Sequence, residues 1–420
     1  MPTIDGAAAN REASQRRSIP LVVVWLVAVL GALSGALWIH DAVVSLPDML
    51  HLVDLDVYRI AADRVVHGVS VYDTPLRGHV RGNWEFVYTP FAALLLTPLA
   101  GLHGSVFTWV GGLGNFAMLT GSVWLTVWML GYRRDGRMLI VGPAAAALLL
   151  LCLPIRQTLA FGQINILLLL LVLADMALPD SSRLKGIGTG IATGIKLTPG
   201  FCILYLLVTR RFRAAATATA ALVATIVLGF AVLPRDSLTF WAGGFVDPSR
   251  VGVPINPENE TLRGGLARSL GTGGGIQLLW LAAALVIAAL GLGLARRLSG
   301  TGRELPAVVL CGLTSTVVSP FSWVHHWVWL APLLIYLVHL AYQRRSLATA
   351  AVVLAVFVVS SGGFLVLVGV PHTSFLYYPD HGLLALVNRN AYIWLTLALF
   401  AATALAVNST ERTRSSMFWA

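Results

Sequence analysis

Residues 19–39, IPLVVVWLVAVLGALSGALWI, form an apolar run of about 20 residues, the length an α-helix needs to cross a lipid bilayer. Arg11, Arg16 and Arg17 precede it. A secretory signal has a shorter apolar core and ends at a small-residue cleavage site, so the run reads as an uncleaved first span entered from a cytoplasmic tail, residues 1–18. The rest of the chain repeats that composition: 57% of the 420 residues are hydrophobic, only 11% are charged, and the mean hydropathy is +0.78. Soluble domains carry about 25% charged residues. The deficit excludes a soluble enzyme, a nucleic-acid-binding domain and a disordered chain. At about 20 residues per span, roughly 240 apolar residues supply about 12 spans, so an all-α polytopic membrane protein is expected.

Further apolar segments lie at 86–101, 104–131, 138–153, 163–178, 186–208, 212–233, 276–297, 305–319, 324–341, 346–369 and 391–407. With both ends inside, the groups Arg210, Arg211 and Arg213, Arg296, Arg297 and Arg303, Arg344 and Arg345, and Arg412 and Arg414 all fall on the cytoplasmic side. Arg133, Arg134 and Arg137 do not, and the segments 86–101 and 138–153 are short for a full crossing. A re-entrant segment would resolve the mismatch and change the count to 11 or 13. Residues 40–85, 234–275 and 371–390 are too polar to face lipid and form outer loops on this parity. Cys152, Cys202 and Cys311 lie inside apolar segments without metal-ligand spacing and read as packing residues.

Seven of the 19 acidic residues fall between 41 and 85. Residues 53–67, VDLDVYRIAADRVVH, fit an amphipathic helix lying at the membrane interface. At about 100° per residue, Asp56, Arg59, Asp63 and His67 share one polar side and suit surface ion pairs. Asp54 instead aligns with Tyr58, Ala61 and Val65, toward the membrane-embedded body. It suits a general base, or an N-cap, and the two roles are compatible. Trp84 and Phe86 fit an interfacial aromatic belt.

Polar residues at span depth usually face a cavity or a partner. Lys196, one of two lysines in the chain, sits in the apolar run GIKLTP, 194–199. It reads as substrate-facing, as snorkelling, or as the partner of a carboxylate such as Asp175. Gln163 and Asn165 in FGQIN, 161–165, suit either ligand contact or helix-to-helix hydrogen bonds. In the outer loop, Asn259 and Arg263 within NPENETLRGGLAR, 256–268, suit hydroxyls and phosphate oxygens, or a plain charged loop. SPFSWVHHWVW, 319–329, sets His325 beside His326. Neighbours on a helix point about 100° apart, which suits one inward imidazole rather than a zinc pair. No metal cage is evident in the spacing, and no cofactor is expected.

Six strings in this order, VDLDVY (53–58), FVYTP (86–90), FGQIN (161–165), KLTP (196–199), NETLRG (259–264) and SPFSWVHHWVW (319–329), resemble the polyprenyl-phosphate-mannose-dependent α-(1→2)-mannosyltransferases of glycosyltransferase family 87. Actinobacteria use these enzymes on phosphatidylinositol mannosides, lipomannan and lipoarabinomannan. The resemblance covers nearly the whole chain after residue 50. It implies a single GT-C domain over residues 1–420 in the plasma membrane, with its active site on the outer face. It further implies inverting transfer from a polyprenyl-phosphate-mannose donor to a glycolipid acceptor. The family's loop aspartate falls on Asp54 as the base. The double histidine falls on His325 and His326, at the donor phosphate, where Lys196 and Arg263 are further candidates. Asn259, Gln163, Asn165 and Tyr88 complete the expected donor set. Asp56 stands where relatives vary between histidine and aspartate, a form closer to the lipomannan-branching enzymes, and Thr89 replaces a proline often seen there. Transfer of arabinofuranose from its own lipid phosphate is a rival of the same chemistry. A transporter or flippase is a rival of another class, although no internal repeat is evident.

Overall fold

The computed structural model describes residues 16–73, 75–77, 83–246, 250–362 and 382–418. The expected outer segment 371–390 therefore lies outside the described residues up to position 381. The described chain is helical apart from a two-stranded ribbon, β1 (Leu76–Arg77) with β2 (Asn83–Trp84), paired antiparallel.

Each expected apolar segment contains helix among its described residues, but the lengths differ; residues 363–369 of the segment 346–369 lie outside the described residues. Among the described residues five helices are long and apolar enough to cross a bilayer: within α1 (Leu21–Met49), α4 (Gly104–Met129), α10 (Phe212–Val232), α13 (Gly274–Gly300) and the first part of α18 (Ala391–Phe418). A sixth crossing would be α5 (Arg137–Leu149) with α6 (Leu153–Phe161), which meet at a 91° bend. Residues 86–101 give only α3 (Pro90–Leu95) and a 3₁₀ turn (Thr97–Gly101). Pro90 starts the one and Pro98 the other, so neither grows to spanning length.

The short α3 also accounts for the misplaced arginines. Backbone hydrogen bonds join Arg17 to Gly131 and Arg133, 3.2 and 2.9 Å, so Arg133, Arg134 and Arg137 share one end of the molecule with the start of α1. Arg16 and Arg134 both stack on Trp128. At this same end Arg297 of α13 binds Asn408 of α18, and Tyr132 meets His339 of α15 (Leu330–Arg344). It is also where α7 (Asn165–Met176), α9 (Phe201–Val208) and α14 (Glu304–Val318) are pinned: Arg211 holds Glu304 through two nitrogens, 2.6 and 2.8 Å, and Asp180 at 3.0 Å.

One turn, α6 into α7 at 162–164, follows the bend after α5; two helical pairs rise from that end and turn back at mid-molecule, α8 (Ile187–Ile195) into α9 at 196–200 and α14 into α15 at 319–329. The packing of α8 fixes the second turn. Gly186, Gly190 and Gly194 form one stripe against Ala214, Ala218 and Thr225 of α10, where any β-carbon would overlap. Asp175 accepts from the backbone N–H groups of Gly186, Gly188 and Thr189 and so caps α8. Asp175 is thereby engaged away from Lys196. Cys202 and Cys311, far apart in sequence, lie 4.0 Å apart between α9 and α14.

Candidate active site

The three turns form the floor of a cavity of about 750 Å³, a volume in the range of ligand sites. Its walls come from α2 (Val53–Val66), residues 84–89, α11 (Pro234–Trp241), α12 (Leu262–Leu270) and the start of α13. The walls thus use both loops read as polar from sequence, 40–85 and 234–275.

Asp54 sits in the first turn of α2 and opens into this cavity, while Tyr58 and Ala61 on the same side are buried. It is not the N-cap. That position is Leu52, in the left-handed region at φ 47° with no side-chain cap, and its N–H bonds the Ala160 carbonyl at 2.7 Å. Asp56 is not on the surface either: it is buried and bonds Arg59 at 2.7 Å. Asp63 pairs with His67 rather than Arg59. Burial pushes the Asp54 carboxyl up to about 6, against the opposing pulls of the Gln163 amide and the Lys196 charge.

Glycine 162 sets the wall behind Asp54. It ends α6 at φ +67°, and a β-carbon there would stand 2.6 Å from Cβ of Leu55. Gln163 follows. Its Oε1 lies within hydrogen-bonding distance of the Tyr58 hydroxyl, the Tyr88 hydroxyl and Asn165 Nδ2, at 3.0, 3.1 and 3.3 Å. The two tyrosine hydroxyls are 2.7 Å apart. Lys196 donates to Asn165 Oδ1 at 3.0 Å and meets His326 Nε2 at 2.9 Å. Thr89 caps α3 and also donates to the Gly194 carbonyl, which ties α3 to the turn carrying Lys196.

His325 and His326 both line the cavity, with rings 4.8 Å apart and nearly perpendicular. Among the described residues neither ring nitrogen of His325 has a hydrogen-bond partner. Arg263 projects from α12 between Trp280 and Phe321, 5.4 Å from each ring, and among the described residues it has no carboxylate partner. Arg250, also in the wall, is held by Glu85 at 2.8 Å. Sequence gave no signal for that pair, nor for the Trp280 side of the Arg263 cradle, because the partners lie far apart along the chain.

Two expected residues stand away from the cavity wall. Asn165 lies behind Lys196, and its amide also donates to the His325 carbonyl at 3.0 Å. Asn259 is fully buried and spends its side chain on Thr261, the Ser322 N–H and the Pro254 carbonyl. It joins the 254–261 loop to the histidine-bearing turn. Next to it Glu260 is fully buried, and burial pushes its carboxyl up to about 8 against the pulls of Arg268 and the Tyr392 backbone.

Asp54, two imidazoles and the cations Lys196 and Arg263 facing a single cavity can deprotonate a hydroxyl and receive an anion; Glu85 and Glu258 also line it, the former paired with Arg250. Comparison with known proteins agrees with that chemistry. The model of glycosyltransferase family 87 matches residues 86–320. The chain is 31% identical over 357 residues, 81% of each chain, to a polyprenol-phosphate-mannose-dependent alpha-(1-2)-phosphatidylinositol mannoside mannosyltransferase of Mycobacterium tuberculosis. It is 28% identical to the protein of the same description from Mycolicibacterium smegmatis, over 96% of this chain and 95% of that one. It is 32% identical to a polyprenol-phosphate-mannose-dependent alpha-(1-2)-phosphatidylinositol pentamannoside mannosyltransferase of M. smegmatis, over 75% of each chain. No solved structure matches.

Proposed function

The chain belongs to glycosyltransferase family 87, and from that premise we propose that it transfers mannose from polyprenyl-phosphate-mannose to the 2-hydroxyl of a mannoside glycolipid, with inversion. The architecture is taken as a single GT-C domain in the plasma membrane, its cavity open to the outer face. The relatives act on phosphatidylinositol mannosides, which places that class of acceptor ahead of lipomannan despite Asp56.

The observation that carries this reading is that Asp54 shares one cavity with His325, His326, Lys196 and Arg263, while Glu85 of the same lining is paired with Arg250. Asp54 takes the proton of the acceptor hydroxyl as the oxygen attacks the anomeric carbon. The bond from that carbon to the lipid phosphate breaks, and a phosphate monoester leaves. Such a leaving group needs charge stabilisation rather than protonation. Arg263, held by two aromatic rings, and His325, whose side chains have no partner of opposite charge and no hydrogen-bond partner among the described residues, suit the phosphate. Lys196 adds positive charge to the floor. The wide cavity and its Trp84, Phe240 and Phe245 lining suit two lipid-linked substrates meeting head to head.

Asp54→Asn keeps the shape of the side chain and removes the base. Membranes carrying it are expected to transfer less than about one-hundredth of the parent's label from polyprenyl-phosphate-[¹⁴C]mannose at equal protein abundance. Retained transfer would remove Asp54 from the chemistry.

A further inference from the structure

The cavity floor contains a run of polar side chains whose order fixes the direction of every hydrogen bond in it. It begins at Lys196. An ammonium has only donors, so the Asn165 atom 3.0 Å away is the carbonyl oxygen and the His326 atom 2.9 Å away is an unprotonated nitrogen. With its oxygen turned to Lys196, Asn165 presents its NH₂ to two acceptors, the His325 carbonyl at 3.0 Å and Gln163 Oε1 at 3.3 Å. The oxygen of Gln163 is further held by the hydroxyl pair of Tyr58 and Tyr88. Its NH₂ is therefore left on the side of Asp54, whose carboxyl the Gln163 amide pulls downward. An amide flip at either residue would set donor against donor, so Lys196 determines both orientations.

We infer that Lys196, Asn165 and Gln163 form a polarised chain that positions the base: Lys196 orients Asp54 through two amides, and orients His326 directly as the tautomer carrying its proton on Nδ1. This inference rests on Asp54 being the base. It assigns the three residues to the base, in place of direct contact with the donor phosphate. Gln163 engages the Asp54 carboxylate with an N–H, which leaves an oxygen for the incoming hydroxyl and holds it at a fixed angle. His326, accepting at Nε2, has only its Nδ1–H to offer a ligand.

The groups that bear on Asp54 are few. From its own helix comes Tyr58, from the 84–89 wall Tyr88, and from the floor Gln163, Lys196, His325 and His326, while Asp56 is paired with Arg59. Loss of the Gln163 donor or of the Lys196 charge therefore moves the carboxyl in one direction, upward.

The test uses full-length enzyme in liposomes, with polyprenyl-phosphate-mannose and decyl α-mannoside as substrates, and compares Gln163→Glu, Asn165→Leu and Lys196→Met with the parent. Positioning predicts a fall in kcat of about 100-fold in each, a donor KM within about threefold of the parent, and an acid limb of kcat/KM displaced to higher pH in Lys196→Met. If the Gln163→Glu chain does not accumulate, Gln163→Met, equal in length and without the amide, replaces it. A donor KM raised tenfold or more with the acid limb unmoved would overturn the inference and make Lys196 a phosphate ligand. Asp54→Asn is run alongside: if it stays active the base assignment itself fails, whereas an inactive Asp54→Asn beside normal floor variants sinks only the chain.

Discussion

At the scale of single residues, two carboxyls are held above their ordinary range for one reason, burial, and stand in opposite surroundings. Asp54 opens to the cavity with a carboxyl at about 6, so it is ionised at neutral pH and gains the proton affinity a base needs. The rate should fall as pH drops, because the base works only when ionised. An acid limb in the kcat/KM profile of the free enzyme centred at about 6 is the expected result, and a limb near 4 would mean that the base lies in an aqueous setting. Glu260 does not line the cavity, and burial outweighs the pulls of Arg268 and the Tyr392 backbone, so it is protonated at neutral pH with its carboxyl at about 8. Between its ordinary 4.5 and about 8 the unfolded chain has already lost a proton that the folded chain keeps, so stability declines as pH rises through that window. Glu260→Gln removes the titration while keeping the shape. Its thermal midpoint in detergent should vary less between pH 5 and 8 and exceed the parent's at pH 8; a decline as steep as the parent's would show that another group is responsible. Sequence distinguished Asp54 from its neighbours through helical phase, since Tyr58 and Ala61 share its side and are buried. It could not distinguish Glu260 from any exposed loop acid, because what buries Glu260 is the distant strand-like pairing of Asn259 with Trp323.

At the scale of elements, the site depends on where short helices stop. Composition marks an apolar segment but not its length, which is why 86–101 read as a span and folds as a six-residue helix followed by a five-residue 3₁₀ turn. The breaks were partly legible: Pro90, Pro98 and Pro199 mark the ends, and the Gly186, Gly190 and Gly194 spacing marks a close helix contact. The convergence of three turns on one cavity was not, because it follows from packing between segments more than 100 residues apart, such as Thr158 with His325. Gly162 is the joint most exposed to a small change. Its left-handed backbone costs an L-residue about 1 kcal/mol, and the added methyl would press on Leu55, next to the base. Gly162→Ala is therefore expected to reach the membrane and to lose at least tenfold in kcat, measured per folded molecule by fluorescence size exclusion. A parental kcat would mean that α2 shifts without disturbing Asp54.

At the scale of the whole molecule, charge divides into two layers. One end holds Arg16, Arg17, the 133–137 arginines, and the Arg211 network with Asp180 and Glu304. The other holds the ion pairs Arg235–Asp73 and Arg250–Glu85 around the cavity mouth. A regular alternation of 12 spans would put Arg134 at the cavity end, whereas the Arg17–Tyr132 pairing puts it with the Arg211 network. This difference can be measured because all three native cysteines are buried and should not react with a polar reagent. Single cysteines replace the exposed Arg134, Ser181 and Thr272, the last at the cavity end just before α13. In right-side-out vesicles a membrane-impermeant maleimide should label Thr272→Cys at once, and should label Arg134→Cys and Ser181→Cys only after the bilayer is opened. Labelling of Arg134→Cys together with Thr272→Cys would mean that residues 86–101 cross after all. Protection of Thr272→Cys with labelling of the other two would turn the cavity to the inner face, and with it the side on which the lipid-linked sugar must be supplied.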